Sequence, residues 1–364
     1  VRDDFLKTLR FWSDRGVDGY RVDVAHALVK NLANGHLPER TGYDLSLVKH
    51  DGSDDLFDRD DVHEIYRSWR KVFNEYNPPR MAVAEAWVHA ERRPPYASTE
   101  ELGQSFNFDM LGAGWNPARI KQIADYNLGE AAKQGTSTTW VLSNHDVMRH
   151  ASRFGGDFGR ATASDGVGPD DPQPDRELGL RRARGATLFM LGLPGSSYIY
   201  QGEELGLPEH TTLEDKYRED PTFFRTKGER VGRDGCRVPL PWEAGVNESN
   251  GFSTTGKSWL PQPSSYKRYA RSEQQVVAGS TLELYKRLLK VRKELQLGAG
   301  DFRWAAEFQD GEETLAYINS GVLVLSNFGK KAVVVPAGEL LATTQHDLSI
   351  EGELEQDQTV WIKL

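Results

Sequence analysis

The sequence has few of the features that mark secreted or membrane-embedded proteins. Cys236 is the only cysteine among 364 residues, so no disulfide can form within the chain. No apolar run reaches the roughly 18 residues that a membrane-spanning helix needs, and no signal-peptide pattern is recognisable at the start. We therefore expect a protein that folds without disulfides, makes no membrane contact and resides in the cytoplasm.

The chain also lacks a surplus of basic residues. It carries 45 Lys and Arg against 54 Asp and Glu, which gives a net charge of −9. Nucleic acids and anionic membranes both require a basic surface, so neither is expected as a partner. What is present is ample core material, since 38% of the residues are hydrophobic and 27% are charged.

Helical and strand patterns alternate over roughly the first 300 residues. The clearest helix is predicted at 62–76, where apolar side chains recur at helical spacing and Pro78-Pro79 follows. The pattern predicts the other helices at 3–15, 116–128, 178–192 and 281–295, and strands at 18–24, 81–87, 104–111, 138–146 and 196–204. After residue 298 the apolar residues alternate in twos, with Ser320-Gly321 as a turn between strands.

Alternating strands and helices predict an α/β fold with a parallel sheet, either a doubly wound sheet or a (β/α)8 barrel. Polar residues stand at the C-terminal ends of several predicted strands, where a barrel assembles its active site. We therefore predict a partial (β/α)8 TIM barrel, starting at about the third helix of a complete one. The predicted domains are the catalytic barrel part, 1–298, and a small antiparallel β domain, 299–364.

Three carboxylates end three different predicted strands: Asp23, Glu85 and Asp146. They lie 62 and 61 residues apart in sequence, so only the fold can bring them together. An aspartate at a strand end can equally cap a helix, but a glutamate inside the apolar stretch AVAEAW is harder to explain structurally. Paired carboxylates suit the hydrolysis of glycosidic bonds, in which one attacks the sugar and the other donates a proton.

The neighbours of two of these carboxylates predict different roles for them. Arg21 is two residues from Asp23 and would share its face of the strand, so its charge should keep Asp23 ionised. Glu85 is flanked by Ala84 and Ala86, and burial there should raise its pKa toward the value of a proton donor.

The motifs GYRVDVAH, AVAEAW and VLSNHD resemble three conserved regions of the α-amylase family of glycoside hydrolases. The longer stretches FDRDDVHEIYRSWR, SFNFDML, YIYQGEELGL and RDGCRVPLPW are similar to bacterial α-glucosidases and oligo-1,6-glucosidases within it. The resemblance extends over essentially the whole chain. It implies a retaining mechanism with Asp23 as nucleophile, Glu85 as general acid/base, and Asp146 as the carboxylate that holds the sugar and stabilises the transition state.

The resemblance also implies which residues bind the substrate, a short α-glucoside of the maltose or isomaltose type. Arg21 and His145 match residues that bind near the nucleophile and the reacting sugar. Arg149 matches an arginine that holds the terminal glucose in an exo-acting pocket. Val24, next to the nucleophile, is of the type seen in several α-1,6-acting relatives, although simple β-branched strand packing explains it equally well.

Some regions of the family pattern have no counterpart in this chain. These are the third-strand Asp-x-x-x-Asn-His motif, the first-strand aromatic residue and the first-loop calcium site. The resemblance therefore corresponds to the C-terminal two-thirds of an α-glucosidase, and we expect an N-terminal segment or partner chain to complete the barrel. No cofactor is expected in this chain, and a calcium site, where there is one, would lie in that N-terminal part.

Two alternatives remain beside hydrolysis. A transglycosylase or isomerase of the same family, similar to trehalose synthase, would use the same three carboxylates and exclude water from the intermediate. A non-catalytic barrel subunit would lack these carboxylates and carry a membrane anchor. The histidines show no spacing typical of a metal site, and Cys236 has no partner pattern for nucleophilic catalysis.

Overall fold

The computed structural model describes residues 1–37, 48–49, 51–156, 158 and 165–364. The chain divides into two compact units, which are described separately below. The first unit comprises Val1–Asn107 and Asp125–Thr139, and the second comprises Phe108–Ala124 and Trp140–Leu364. The second unit contains residues on both sides of the predicted boundary at residue 298, so that boundary stays a prediction.

The first unit is built on a parallel sheet. Its elements are α1 (Arg2–Ser13), β1 (Gly19–Val22), α2 (Val62–Phe73), β2 (Met81–Ala84), α3 (Arg93–Ala97) and β3 (Gly103–Ser105). The strand order is β1-β2-β3, and both pairs are parallel. Parallel neighbours bring the C-terminal ends of their strands to one edge, so the residues that follow β1 and β2 lie side by side.

Helix α2 supplies much of the core of this unit, as its sequence predicts. Its buried apolar side chains follow helical spacing and form one cluster with residues of α1 and the sheet: Val62, Ile65, Tyr66, Trp69, Val72 and Phe73. The helix ends at Phe73, before the Tyr76 that the periodicity includes. Such burial stabilises the unit by roughly 1.5–3 kcal/mol for each large apolar side chain.

All five strands predicted in 1–298 are shorter than expected. The strand predicted at 81–87 stops at Ala84, and the one predicted at 138–146 is limited to Thr139–Val141. The strand predicted at 18–24 stops at Val22, and the one predicted at 104–111 is limited to Gly103–Ser105. In the latter, Phe106 still donates to the Ala84 carbonyl, but the Asn107 N–H turns to the Thr139 hydroxyl. The strand predicted at 196–204 stops at Tyr198.

Helix α4 (Pro117–Gln134) and strand β4 (Thr139–Val141) follow in the chain. The further elements up to residue 298 are α5 (His150–Arg153), α6 (Arg176–Gly192), β5 (Ser196–Tyr198), α7 (Pro221–Arg225), α8 (Arg271–Gln274) and α9 (Thr281–Glu294). Strands β4 and β5 pair with each other. The stretch between β5 and α9 is dominated by turns and short helices, in line with its many Gly and Pro residues.

The end of the chain forms the predicted antiparallel sheet. Its strands are β6 (Phe302–Trp304), β7 (Thr314–Asn319), β8 (Val322–Asn327), β10 (Glu339–Thr343) and β12 (Gln358–Lys363), in the order β10-β12-β8-β7-β6. The short strands β9 (Val333–Val334) and β11 (Glu353–Leu354) pair separately. Ser320 and Gly321 have φ of 50° and 76°, as a tight two-residue hairpin turn requires.

The predicted α/β fold followed by an antiparallel β region is therefore confirmed, whereas the partial (β/α)8 barrel that starts at about the third helix stays a prediction. Within the described part of the chain, no helix combines the length and the apolar character needed to cross a bilayer.

Candidate active site

Asp23 follows β1 and pairs with the arginine two residues before it. The Arg21 Nη1 donates to Asp23 Oδ1 at 2.6 Å. The Asp23 side chain is 71% exposed, so a substrate can reach the carboxylate that Arg21 orients. The two residues pair as their spacing predicts, although Asp23 lies just beyond the end of the strand.

Glu85 follows β2 and lies in the opposite environment, with only 6% of its surface exposed. Its Oε2 accepts a hydrogen bond from the Val24 N–H at 2.7 Å, and its Oε1 accepts one from the Trp87 indole. Burial raises the pKa of Glu85, while the donors Val24 and Trp87 and the charge of Arg21 partly oppose that rise. The direction agrees with the sequence prediction, and it favours a carboxyl group that can donate a proton.

The guanidinium of Arg21 contacts both Asp23 and Glu85. We call these two carboxylates the acidic pair. Arg21 Nη1 binds Asp23, and its Nη2 lies 3.9 Å from Glu85 Oε2. The negative charge of Asp23 is also one of the causes that raise the pKa of Glu85. The acidic pair thus combines an exposed carboxylate with a buried one whose pKa is raised.

Val24 connects the two members of the acidic pair through its backbone. Its φ of 46° and ψ of 44° place it in the left-handed region, which a β-branched residue rarely adopts. This conformation coincides with the N–H donated to Glu85 and costs about 1–3 kcal/mol. The Val24 side chain is 41% exposed, so it remains accessible beside Asp23.

A cavity of about 770 Å³ opens beside β1 in the first unit. Arg21 and Asp23 contribute to its wall, and most of the remaining lining is apolar or aromatic, including Trp12, Leu28 and Trp69. Aromatic surface next to a few polar groups is typical of small-molecule sites.

Asp146 follows β4 in the second unit and is surrounded by cationic groups. Its Oδ1 accepts hydrogen bonds from Arg233 Nη1 at 2.6 Å and from Arg237 Nη2 at 3.0 Å. His145 Nε2 lies 3.3 Å from its Oδ2. The side chain is 25% exposed, so a face of the carboxylate remains open to solvent.

Arg149 is more deeply buried than a residue expected to hold a terminal sugar, with 2% exposure. Its guanidinium lies 4.7 Å from the Tyr200 ring and donates to the carbonyls of Gln201 and Cys236 at 2.8 and 2.9 Å. These contacts tie together loops that follow β4 and β5. The predicted role of Arg149 in binding terminal glucose stays a prediction.

Sequence reasoning missed Arg233 and Arg237 as neighbours of Asp146. Both belong to the stretch RDGCRVPLPW, which supported the family resemblance without any role for its arginines. They lie 87 and 91 residues beyond Asp146 in sequence, so no local pattern links them to it. The signal that could have found them is two arginines four residues apart in a loop rich in glycine and proline.

The segment that carries these arginines is fixed by the buried Cys236. Its Sγ donates to the Arg233 carbonyl at 3.1 Å, and burial raises the pKa of the thiol. A thiol that is hard to ionise is a poor nucleophile, in line with the missing partner pattern for nucleophilic catalysis.

Two fully buried glutamates lie near Arg149. Burial raises the pKa of Glu203 to about 8 and that of Glu209 to about 7. Glu209 Oε2 accepts the Arg149 N–H at 3.0 Å, and Glu203 Oε2 accepts from the Tyr285 hydroxyl at 3.4 Å. Within the described ranges, no group of three or more His, Cys, Asp or Glu side chains could hold a metal ion, and the metal prediction remains open.

Comparison with known proteins gives similar sequences among α-glucosidases. The chain is 30% identical over 307 residues to a probable α-glucosidase of Rhizobium meliloti (strain 1021), covering 80% of this chain and 51% of that protein. It is 26% identical over 375 residues to the oligo-1,6-glucosidase of Parageobacillus thermoglucosidasius, covering 92% of this chain and 61% of the relative. The chain thus spans about half to three-fifths of the length of these relatives.

Among solved structures, the α-glucosyl transfer enzyme XgtA is similar, with a TM-score of 0.76 and 25% identity over 99% of this chain and 66% of that one. The family described as "Alpha amylase, catalytic domain" matches residues 1–299. This match confirms the resemblance inferred from the strand-end motifs, and the chain belongs to the α-amylase family of glycoside hydrolases.

Proposed function

We propose that this protein is a retaining, exo-acting α-glucosidase that removes terminal α-linked glucose from short oligosaccharides of the maltose or isomaltose type. The observation that carries the proposal is the acidic pair, in which an exposed Asp23 and a buried Glu85 contact one arginine. Retaining glycosidases need two nearby carboxyl groups in different protonation states. The similarity to α-glucosidases and an oligo-1,6-glucosidase supports the substrate class.

In the proposed mechanism, an oxygen of Asp23 attacks the anomeric carbon while the Glu85 carboxyl group gives its proton to the leaving glycosidic oxygen. The bond to the aglycone breaks and a covalent glucosyl ester forms on Asp23. Glu85, now ionised, then takes a proton from a water molecule, which attacks the same carbon and releases glucose and Asp23. Asp146 would accept hydrogen bonds from hydroxyls of the reacting sugar, and its arginine partners support that acceptor role.

The proposal is tested with the complete protein and an aryl α-glucoside. Proton NMR taken early in the reaction should show α-glucose as the first product, because two displacements retain the configuration. β-Glucose as the first product would contradict the retaining mechanism. An absence of turnover on aryl α-glucosides, maltose and isomaltose would contradict the α-glucosidase proposal itself.

The similarity to XgtA favours a second candidate, glucosyl transfer to another sugar. The chemistry up to the glucosyl ester is the same, and the acceptor is a sugar hydroxyl instead of water. The products formed from maltose separate the two candidates. Glucose alone supports hydrolysis, whereas trehalose or longer oligosaccharides support an isomerase or a transferase.

We also propose that a further strand, from an N-terminal segment or a partner chain, pairs with β1. Among the described residues β1 pairs only with β2, so its other edge is available. The apolar cavity beside β1 supports this proposal, because an open sheet edge next to apolar surface favours pairing.

A further inference from the structure

Arg233 bridges two carboxylates in the second unit. Its Nη1 donates to Asp146 Oδ1 at 2.6 Å, and its Nε donates to Asp220 Oδ2 at 2.7 Å. The Arg233 backbone N–H also donates to Asp220 Oδ2, at 2.9 Å. One edge of the guanidinium is therefore fixed by Asp220, and the other end is presented to Asp146.

Asp220 is a buried anchor for this arginine. Its side chain is fully inaccessible to solvent, and its Oδ1 accepts the Thr222 N–H at 2.8 Å at the start of α7. Burial alone would raise the pKa of Asp220, but the hydrogen bonds from Arg233 and Thr222 hold it well below its usual range. Moving Arg233 away would leave a buried charge without its cation, which is strongly unfavourable.

The backbone geometry around Asp220 and Arg233 brings these two residues together. Gly232 has a φ of 75°, and a Cβ there would lie 2.9 Å from the Asp220 Cβ, closer than real contacts allow. On the other side, Asp234 Oδ2 accepts the N–H groups of Glu219 and Asp220 at 2.9 and 3.0 Å. Glycine at 232 and aspartate at 234 thus fix the distance between Asp220 and Arg233.

We propose that Arg233, oriented by Asp220, is a positioning residue that holds the Asp146 carboxylate in one orientation for the hydroxyls of the reacting sugar. This inference rests on the proposed function. The groups that face Asp146 are Arg233 and Arg237 from the loop after α7, and His145 from its own loop. Of the two arginines, Arg233 is the one whose guanidinium hydrogen-bonds to Asp220.

The bridge needs an arginine specifically. A guanidinium carries donors on separate nitrogens, so it can hold Asp220 with Nε while it offers Nη1 to Asp146. A lysine keeps the charge but has a single nitrogen and cannot maintain both geometries. The charge-conserving variant Arg233→Lys therefore separates positioning from simple charge.

The test uses Asp220→Asn in the complete protein, with kcat and KM for an aryl α-glucoside measured separately. We expect kcat/KM to fall about 10- to 100-fold, the effect of losing a charged hydrogen bond. The fall should be in kcat rather than in KM, because Asp146 is proposed to stabilise the transition state. Asp215→Asn is the matched control, since Asp215 pairs with Arg218 in the same segment at 3.0 Å and is 74% exposed.

An Asp220→Asn enzyme with the parent kcat would overturn the proposal, as would a control variant that loses kcat equally. Where Asp220→Asn fails to fold, Arg233→Lys takes its place, with the same loss of kcat expected and the parent kcat again overturning the proposal.

Crystal structures separate this inference from the proposed function. An absence of α-glucosidase activity would contradict the proposed function. The position of Arg233 in the crystal structure of the variant would still test the positioning role. Displacement of its guanidinium from Asp146 in Asp220→Asn supports positioning. An unchanged contact between Arg233 Nη1 and Asp146 Oδ1 overturns it.

Discussion

Asp23 in the first unit follows β1 and Asp146 in the second follows β4, yet their surroundings differ. Asp23 is 71% exposed and has one guanidinium partner, Arg21. Asp146 is 25% exposed and faces two arginines and a histidine. A carboxylate with few partners can form a new bond, whereas one surrounded by donors is suited to stay an acceptor. The environments thus favour the different roles proposed for the two aspartates.

Two buried glutamates show a second contrast. Burial raises the pKa of both Glu85 and Glu203, but Glu85 lies beside an exposed carboxylate, whereas Glu203 is enclosed by groups such as His150 and Tyr285. A raised pKa alone therefore does not mark a catalytic acid. What distinguishes Glu85 is its position in the acidic pair.

The largest expected effect is that of Asp23→Asn, which removes the proposed nucleophile. Turnover of an aryl α-glucoside should fall by at least about 10⁴-fold, because no covalent intermediate can form. Asp18→Asn, at the other end of β1 and 87% exposed, is the matched control and should retain activity. Near-normal rates for Asp23→Asn would contradict the proposed role of Asp23 as nucleophile and, with it, the difference in role between Asp23 and Asp146.

Glu85→Gln should lower kcat/KM by about 10²–10⁴-fold on maltose, which needs a proton on its leaving oxygen. The loss should be much smaller on an aryl glucoside with an acidic phenol, and the basic limb of the pH profile should disappear. Equal losses on both substrates would argue against Glu85 as the acid.

Glu203→Gln tests the contrast between the two buried glutamates through stability. The pKa of Glu203 is about 8 in the folded protein, against an ordinary 4.5, so the folded state binds the extra proton between these values. The free energy of unfolding should then fall as the pH rises from about 4.5 to about 8. Glutamine cannot ionise, so the Tm of the variant relative to the parent should increase with pH over this range.

Glu294→Gln, at an exposed position, is the control for Glu203→Gln and should have a Tm close to that of the parent. A Tm difference between Glu203→Gln and the parent that stays constant from pH 5 to pH 8 would contradict the prediction.

The smallest expected effect is that of Trp87→Phe. The Trp87 indole donates to Glu85 and lowers its pKa, so its removal should move the basic limb of the kcat/KM profile to higher pH. A shift to lower pH would show that Trp87 does not stabilise the ionised form of Glu85.

The parts of the site that the sequence predicts are those determined by short-range patterns. The spacing of Arg21 and Asp23 predicts their pairing, and the apolar neighbours of Glu85 predict the direction of its pKa. In the same way, alternation in twos and Ser320-Gly321 predict a hairpin of the antiparallel sheet.

The rest depends on contacts between distant parts of the chain or on backbone geometry. Arg233 reaches Asp146 across 87 residues, and the loop that carries it has no periodicity. The left-handed conformation of Val24 contradicts the preference of a β-branched residue, so propensity predicts the opposite. In this conformation the Val24 N–H donates to Glu85, and the local sequence does not predict that contact.

The accessibility of the Cys236 thiol can be used to follow the motion of the loop that carries it. As the only thiol, buried between the two arginines that bind Asp146, it should react with a disulfide reagent only when that loop opens. The rate of a simple colorimetric thiol assay would then measure how often the loop opens, without any engineered label. Ligands that hold this loop closed around Asp146 should lower the rate of the thiol reaction.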